Sequence, residues 1–264
     1  MWNSVRPPYR TAFRSLVVAA VVLCGLFWPA PAQAEDDAAL GAQAAQACRD
    51  NGSGIQAAVA DIRVVCLYGD ITKDLAAAFK VIPLLPDMIV VVSSRRGDDI
   101  AAMEIGWALF PLHPFVVVDG HCLRPCSNSL FLAGDRKLIL DGAFLSWNGG
   151  AAPSWPGNRA SLPSAPVSLL GVRPEMHETV RREARLLTMA GVNRDMLYID
   201  PFPQKRKLST RRGSGWVYNS FEMKCFGVLG IVTPWPAALA EVTTAPDCKD
   251  VIKVTAKPTA ERPR

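Results

Sequence analysis

Four short apolar, β-branched runs alternate with three helix-spaced runs between residues 61 and 141, and only a few residues separate one from the next. "DIRVVCLYG" (61–69), "DMIVVVSS" (87–94), "HPFVVVDG" (113–120) and "RKLILD" (136–141) read as strands. "DMIVVVSS" is largely apolar rather than alternating, the pattern of a strand buried on both faces. "DITKDLAAAFKVI" (70–82), "DDIAAMEIGWALF" (98–110) and "CSNSLFLAG" (126–134) read as helices, the first ended by Pro83. This alternation predicts an α/β domain with parallel strands and right-handed crossovers. Sites in such domains lie on loops at the carboxyl ends of the strands. Here those loops are Gly69-Asp70, Ser93–Asp98 and Asp119–Cys126.

The N-terminus points to a compartment. Arg6, Arg10 and Arg14 precede the apolar run "SLVVAAVVLCGLFW" (15–28); "PAPAQAEDD" follows, with Ala32-Gln33-Ala34 in a small-x-small pattern. Residues 1–34 therefore read as a secretory signal peptide cut after Ala34. The run is shorter than the roughly 20 residues of a spanning helix. An uncleaved anchor is the alternative, and the expected membrane contact is through that segment alone. Cys24 lacks the small residues of a lipoprotein cleavage site before it. Removal of the leader leaves 26 basic against 24 acidic residues, so the +5 of the whole chain falls to +2 and is no argument for nucleic acid. Cys48, Cys66, Cys122, Cys126, Cys225 and Cys248 remain, an even set that suggests disulfides in an oxidising compartment. Sequence does not choose among their pairings. Proximity in the chain favours Cys48–Cys66, Cys122–Cys126 and Cys225–Cys248.

Outside the alternating block the texture varies. Residues 35–47 are Ala-rich and suit a helix before Cys48. "GAFLSWNGGAAPSWPGNRASLPSAP" (142–166) reads as a long loop. Residues 173–191 form an amphipathic helix, with Pro174 near its start and Gly191 at its end. "PQKRKLSTRRGSG" (203–215) is a basic turn, and "FGVLGIVTP" (226–234) is strand-like. The chain is thus expected to comprise a signal peptide (1–34), an α/β domain (35–200), an extension of that domain (201–255) and a disordered tail (256–264).

"LYGDI" (67–71), "VVSSRRGDDIAAMEIG" (91–106), "VVVDGHCLRPCSNSLFLAG" (116–134) and "AFLSWNGG" (143–150) have an order and spacing that resemble the Clp-protease/crotonase superfamily. The nearest likeness is to its exported branch, which resembles the proteolytic subunit of the Clp protease. It covers roughly a third of the chain well and continues more weakly through 174–190 and "WVYNSFEMKCFGVLGI" (216–231). The resemblance implies a spiral of parallel strands and helices with a C-terminal helical and short-strand extension, and often rings or trimers. It also implies, in active members, a serine at the mouth of the third helix, a histidine after the following strand, and a Gly-Gly oxyanion turn after the second strand.

Carried onto this chain, the serine falls at Arg124 or Pro125, the histidine at Asn148, and the turn at Arg96-Gly97. Arginine is no nucleophile, and proline lacks even an N–H. Asparagine is no general base near neutral pH. Arginine in place of a glycine hinders close backbone approach. The resemblance therefore implies a degenerate hydrolase site, with Cys122 and Cys126 retained as framework and Pro125 suited to a first helical turn.

A different class is a serine or cysteine hydrolase with a relocated nucleophile, Ser127 or Cys126, and His121 as base. It requires His121 within hydrogen-bond reach of the nucleophile and a free Cys126 thiolate. Against it, Ser127 and Ser129 suit helix capping, and Cys126 so near Cys122 suits a bridge. His121, Cys122 and Cys126, with His113, have the flavour of a zinc site but lack a second pair at a defined spacing, so no metal is expected.

Asp70, Asp98 and Asp99 suit helix caps, the latter two with Arg95 and Arg96 beside them for ion pairing. Arg96 and Arg124 would favour a ligand carboxylate. Trp147 and Trp155 either line a groove or pack in the core, and Trp216 and Trp235 suit packing. Lys205, Arg206, Lys207, Arg211 and Arg212 either touch acidic polymers or headgroups or form a solvated loop. No Walker motif and no Gly-x-Gly-x-x-Gly after a strand is present, so no nucleotide cofactor is implied. The expectation is an exported, periplasmic or extracellular protein, non-catalytic, that binds a peptide or acyl group or assembles as a homo-oligomer.

Overall fold

A computed structural model describes residues 31–59, 61–151, 177–197, 216–233 and 248. Contacts divide the chain into Met1–Asp36 and Asp37–Arg264. Of the first unit only 31–36 are described, and they are helical.

The alternating block builds the centre of the second unit. β2 (Ile62–Tyr68), β3 (Ile89–Ser94), β4 (Phe115–Cys122) and β5 (Arg136–Ile139) pair in parallel in chain order. Their register aligns Cys66, Val91, Val117 and Leu138 in one row and Leu67, Val92, Val118 and Ile139 in the next. Successive rows face opposite sides of the sheet. The first row joins a core with Ala44, Ala45 and Cys48 of α1 (Pro31–Asn51). The second joins a larger core with Ala76 and Phe79 of α2 (Lys73–Lys80), Ile105 and Leu109 of α3 (Asp99–Leu109), and Leu186 and Leu187 of α4 (His177–Met189). Cover on both faces explains why the strands carry apolar residues in both registers. Each such side chain, fully buried, contributes about 1.5–3 kcal/mol.

Covalent and ionic links hold α1 to the sheet. Cys48 is bridged to Cys66 of β2. Arg49 pairs with Asp119 of β4 at 2.7 Å, and Asp37 pairs with Arg136 of β5. The Tyr68 phenol donates to Asp119 at 2.6 Å. Its pKa is raised, first by burial and then by that hydrogen bond. The other two bridges are Cys122–Cys126 and Cys225–Cys248, so the three pairs are those that proximity in the chain favours.

Several elements depart from the sequence reading. β1 (Gly54–Val59) forms an antiparallel hairpin with β2. Asp61 takes a left-handed φ of 63° in the two-residue link, but "AD" is not among the usual two-residue hairpin signals. β6 (Phe144–Leu145) lies inside the expected loop and pairs with His121-Cys122 at the end of β4. The helix expected at 126–134 is realised over Ser127–Phe131 as a π-helix. Of the segment 226–234, expected as a strand, residues 226–233 are described, and among them the sheet contact is a single bridge between Ile231 and Lys137. α5 (Ser220–Cys225) is a helix of the expected C-terminal extension whose bounds the sequence reading did not give; Asn219 and Glu222 close it with a capping box.

The C-terminal segment packs into the larger core through Tyr218, Met223 and Phe226. Lys137, buried in β5, ties it down. Its Nζ donates to the Gly134 carbonyl and, at 2.9 Å, to that of Leu229. Burial pushes its pKa down to about 8, against the upward pull of Asp135.

Among the described residues no helix is long and apolar enough to cross a membrane. The leader run 15–28, residues 152–166 of the long loop, the start of the helix at 173–176, the basic turn 203–215, Trp155, Trp235 and the tail 256–264 lie outside the described residues.

Candidate functional site

The carboxyl ends of β3, β4 and β6 converge, and the implied site positions fall on the turns that leave them. After β4 the chain turns through Arg124 and Pro125 into the π-helix. After β6 it runs through Trp147 to Asn148 and Gly149. Asn128 of the π-helix donates from Nδ2 to the Gly149 carbonyl at 2.9 Å, and a Cβ added at Gly149 would stand 4.0 Å from Arg124 Nη1. The turns that bear Arg124 and Asn148 are therefore neighbours. Asn148 itself is exposed.

Arg124 is engaged. Its Nε donates to Asp99 Oδ1 at 3.2 Å and its Nη2 to Asp99 Oδ2 at 2.6 Å, a fork-on-carboxylate geometry. The expectation that Asp99 pairs with Arg95 or Arg96 is corrected by this contact. Residues 124 and 99 leave adjacent parallel strands at the same end, whereas Arg96 turns to Asp70 at 2.8 Å. Capping also redistributes. Asp98 caps α3 by accepting from Ala101 N at 2.9 Å, but α2 is capped by Thr72, not Asp70.

Arg96-Gly97, the oxyanion-turn equivalent, is closed by backbone. Ile71 N donates to the Arg96 carbonyl at 3.1 Å, and Asp98 N donates to the Ile71 carbonyl at 2.8 Å. A Cβ at Gly97 would lie 2.5 Å from the Ile71 oxygen. The glycine serves this approach of two chain segments. Ile71 occupies the space beside it.

Two of the fallback residues, Cys126 and Ser127, are buried in the core. Cys126 is bridged to Cys122, and both are wholly buried. Ser127 is also fully buried, its hydroxyl 3.3 Å from Asn128 Oδ1. Cys122 belongs to the core under the helices, while Asp119 meets Arg49 of α1. His121 follows Gly120, whose φ of +93° interrupts the alternation of β4. It contacts Arg95 at 3.4 Å and the Phe144 ring at 6.4 Å. With Cys126 in a bridge, the free thiolate that a Cys126–His121 pair requires is absent.

Nor does a side chain cap the π-helix, so the capping expected of Ser127 and Ser129 is corrected. Ser127 N instead reaches the Leu123 carbonyl at 3.4 Å across the bridged turn. The zinc grouping fails on the same facts. Two of its ligands are a disulfide, and His113 and His121 stand at opposite ends of β4, about 25 Å apart at the usual strand rise.

Trp147 is core rather than groove. It is fully buried against Phe131 and Tyr218, with ring centroids at 6.3 and 5.3 Å, and its backbone bridges to Trp216. This fixes the start of the 148–151 turn. Its end is fixed by Glu183 of α4, a buried carboxylate that accepts from Ala151 N at 2.8 Å. Asp99, Asn128 and Glu183 were not singled out as site residues in the sequence. Each acts on a partner more than 20 positions away, at separations of 25, 21 and 32, where no local pattern gives a signal.

No protein-family model matches this chain, and no curated protein matches it.

Proposed function

We propose that the chain is an exported relative of the Clp-protease/crotonase superfamily, with that family's spiral, that binds a peptide or acyl group or assembles with itself, without cleaving a substrate. The observation that carries the reading is the Arg124–Asp99 pair. At the implied nucleophile position stands a guanidinium already neutralised by a carboxylate, beside a turn that offers Asn148 in place of a base. Sequential parallel strands, and turns that meet at their carboxyl ends, support the relationship. Three disulfides indicate an oxidising environment, which supports export.

Nucleophilic catalysis needs a polarised nucleophile, a base in contact and preorganised donors. Arg124, Asn148 and the Ile71-filled turn at Gly97 supply none of the three. The test is to treat purified mature protein, unreduced, with a fluorophosphonate and an iodoacetamide probe and to map adducts by mass spectrometry. No adduct is expected at Ser127 or Cys126. A stoichiometric adduct at either, lost on His121→Ala, overturns the reading and makes the chain a hydrolase.

A further inference from the structure

We propose that Arg124 and Asn148 form a carboxylate-recognition site at the carboxyl ends of β3, β4 and β6, in which Asp99 is a resident competitor. The inference rests on the binding-module reading and names what the module recognises. Asp99 takes Nε and Nη2 of Arg124 and leaves Nη1 unbonded among the described residues. Nη1 faces the Gly149 turn, where a glycine with a φ of +113° leaves the approach open and the preceding Asn148 amide is exposed. A guanidinium N–H and a carboxamide N–H on adjacent turns make a donor pair for two oxygens of one planar anion.

The turn that bears Asn148 is anchored on three sides, by the Trp147 backbone bridge, by Asn128 on Gly149 and by Glu183 on Ala151, and Asp99 holds Arg124. Such anchoring keeps the donors in place before a ligand arrives.

Charge selects the ligand class. Arg96 is held by Asp70 and Arg95 stands beside His121, so Arg124 is the cation next to the Gly149 turn, and Asp99 already balances it. A carboxylate that displaces Asp99 adds one negative charge to the mouth and a phosphate dianion adds two, so the monovalent anion is favoured. The exchange is accessible because the pair is about a third solvent-exposed, at 27% and 33%, and exposed pairs of this kind are weak. The α3 cap is on Asp98, so release of Asp99 leaves the helix start intact.

The experiment follows the Arg124 Nε–H, Asn148 side-chain and Gly149 amide signals by 15N NMR in the full mature protein. The titrants are acetyl-trialanine, the same peptide as its C-terminal amide, and hexanoate. These separate a peptide terminus from a free acyl acid. Wild type should bind a carboxylate weakly. Asp99→Asn should bind it about fivefold more tightly, and Asp99→Asn with Arg124→Gln should lose it. Arg124→Lys in the wild-type background, which keeps the charge but not the fork, should lose the preference for carboxylate over amide. Equal binding of acid and amide overturns the carboxylate site while the binding module stands. Binding of none of the three titrants, with every signal unmoved in Asp99→Asn, overturns both the site and the peptide- or acyl-binding reading.

Discussion

Two turns at the same end of one sheet are closed in different ways. The turn at Arg96-Gly97, after β3, is zipped to Ile71 by two backbone hydrogen bonds, with no room for a Cβ between the chains. The turn at Arg124, after β4, meets its neighbours through side chains, Arg124 on Asp99 and Asn128 on Gly149. Backbone closure has no alternative partner short of unfolding the segment. Side-chain closure exchanges with any ligand of similar chemistry. The first turn is thus architecture, and the second is the one at which the proposed exchange can occur.

The largest expected effect probes the backbone-closed turn. Gly97→Ala must push Ile71 out of the way, and a backbone atom 2.5 Å from the new carbon yields only by moving the strand-end pairing. A loss of about 3 kcal/mol or more is expected in denaturant unfolding. A loss below about 1 kcal/mol would erase the contrast between the turns.

Next in size is a control from outside both turns. Lys137 has a folded pKa depressed to about 8 from 10.5. Between those values the unfolded chain binds more protons than the folded one, so stability rises with pH across that window. The gain approaches about 3 kcal/mol. Above pH 10 Tyr68 opposes it, because a phenol with a raised folded pKa loses its stabilising contribution as pH climbs past the unfolded value. Unfolding curves from pH 7 to 10 should therefore rise in wild type and in Gly97→Ala alike, and flatten in Lys137→Met. A wild-type curve that is flat between pH 8 and 10 would refute the assignment.

The smallest effects compare the two arginines. Arg124→Met should cost about 1 kcal/mol, since its pair is part-buried and forked. Arg96→Met should cost less than about 0.5 kcal/mol, since its side chain is 81% exposed and makes one contact with Asp70. Equal costs in thermal unfolding would mean that the Arg124–Asp99 pair has no special place in the mouth.

Much of the fold was legible. "IVVVS" and "FVVVD" have no polar row to turn to water, so they announced a sheet covered on both faces before any contact was known. The hairpin strand β1 was not legible, because "GIQAAV" neither alternates nor ends in a usual hairpin signal. The site divided similarly. That Arg124, Pro125 and Asn148 stand where a resemblance puts a serine and a histidine is visible in one dimension. That Arg124 is held by Asp99 is not, and neither is the withdrawal of Trp147 into the core.

The sequence by itself determined the alternation of strands and helices, the parallel sheet, the even set of cysteines and the chemical character of the site positions. These depend on residue type and on periods of two and 3.6, which are local properties of a chain. Only the tertiary structure decided which carboxylate meets which guanidinium, that Gly97 serves Ile71, and that Ser127 is wholly buried. Parallel strands bring their carboxyl ends together from positions more than 20 residues apart. At that separation a contact is set by the register and layering of the whole sheet, which no short stretch of sequence carries.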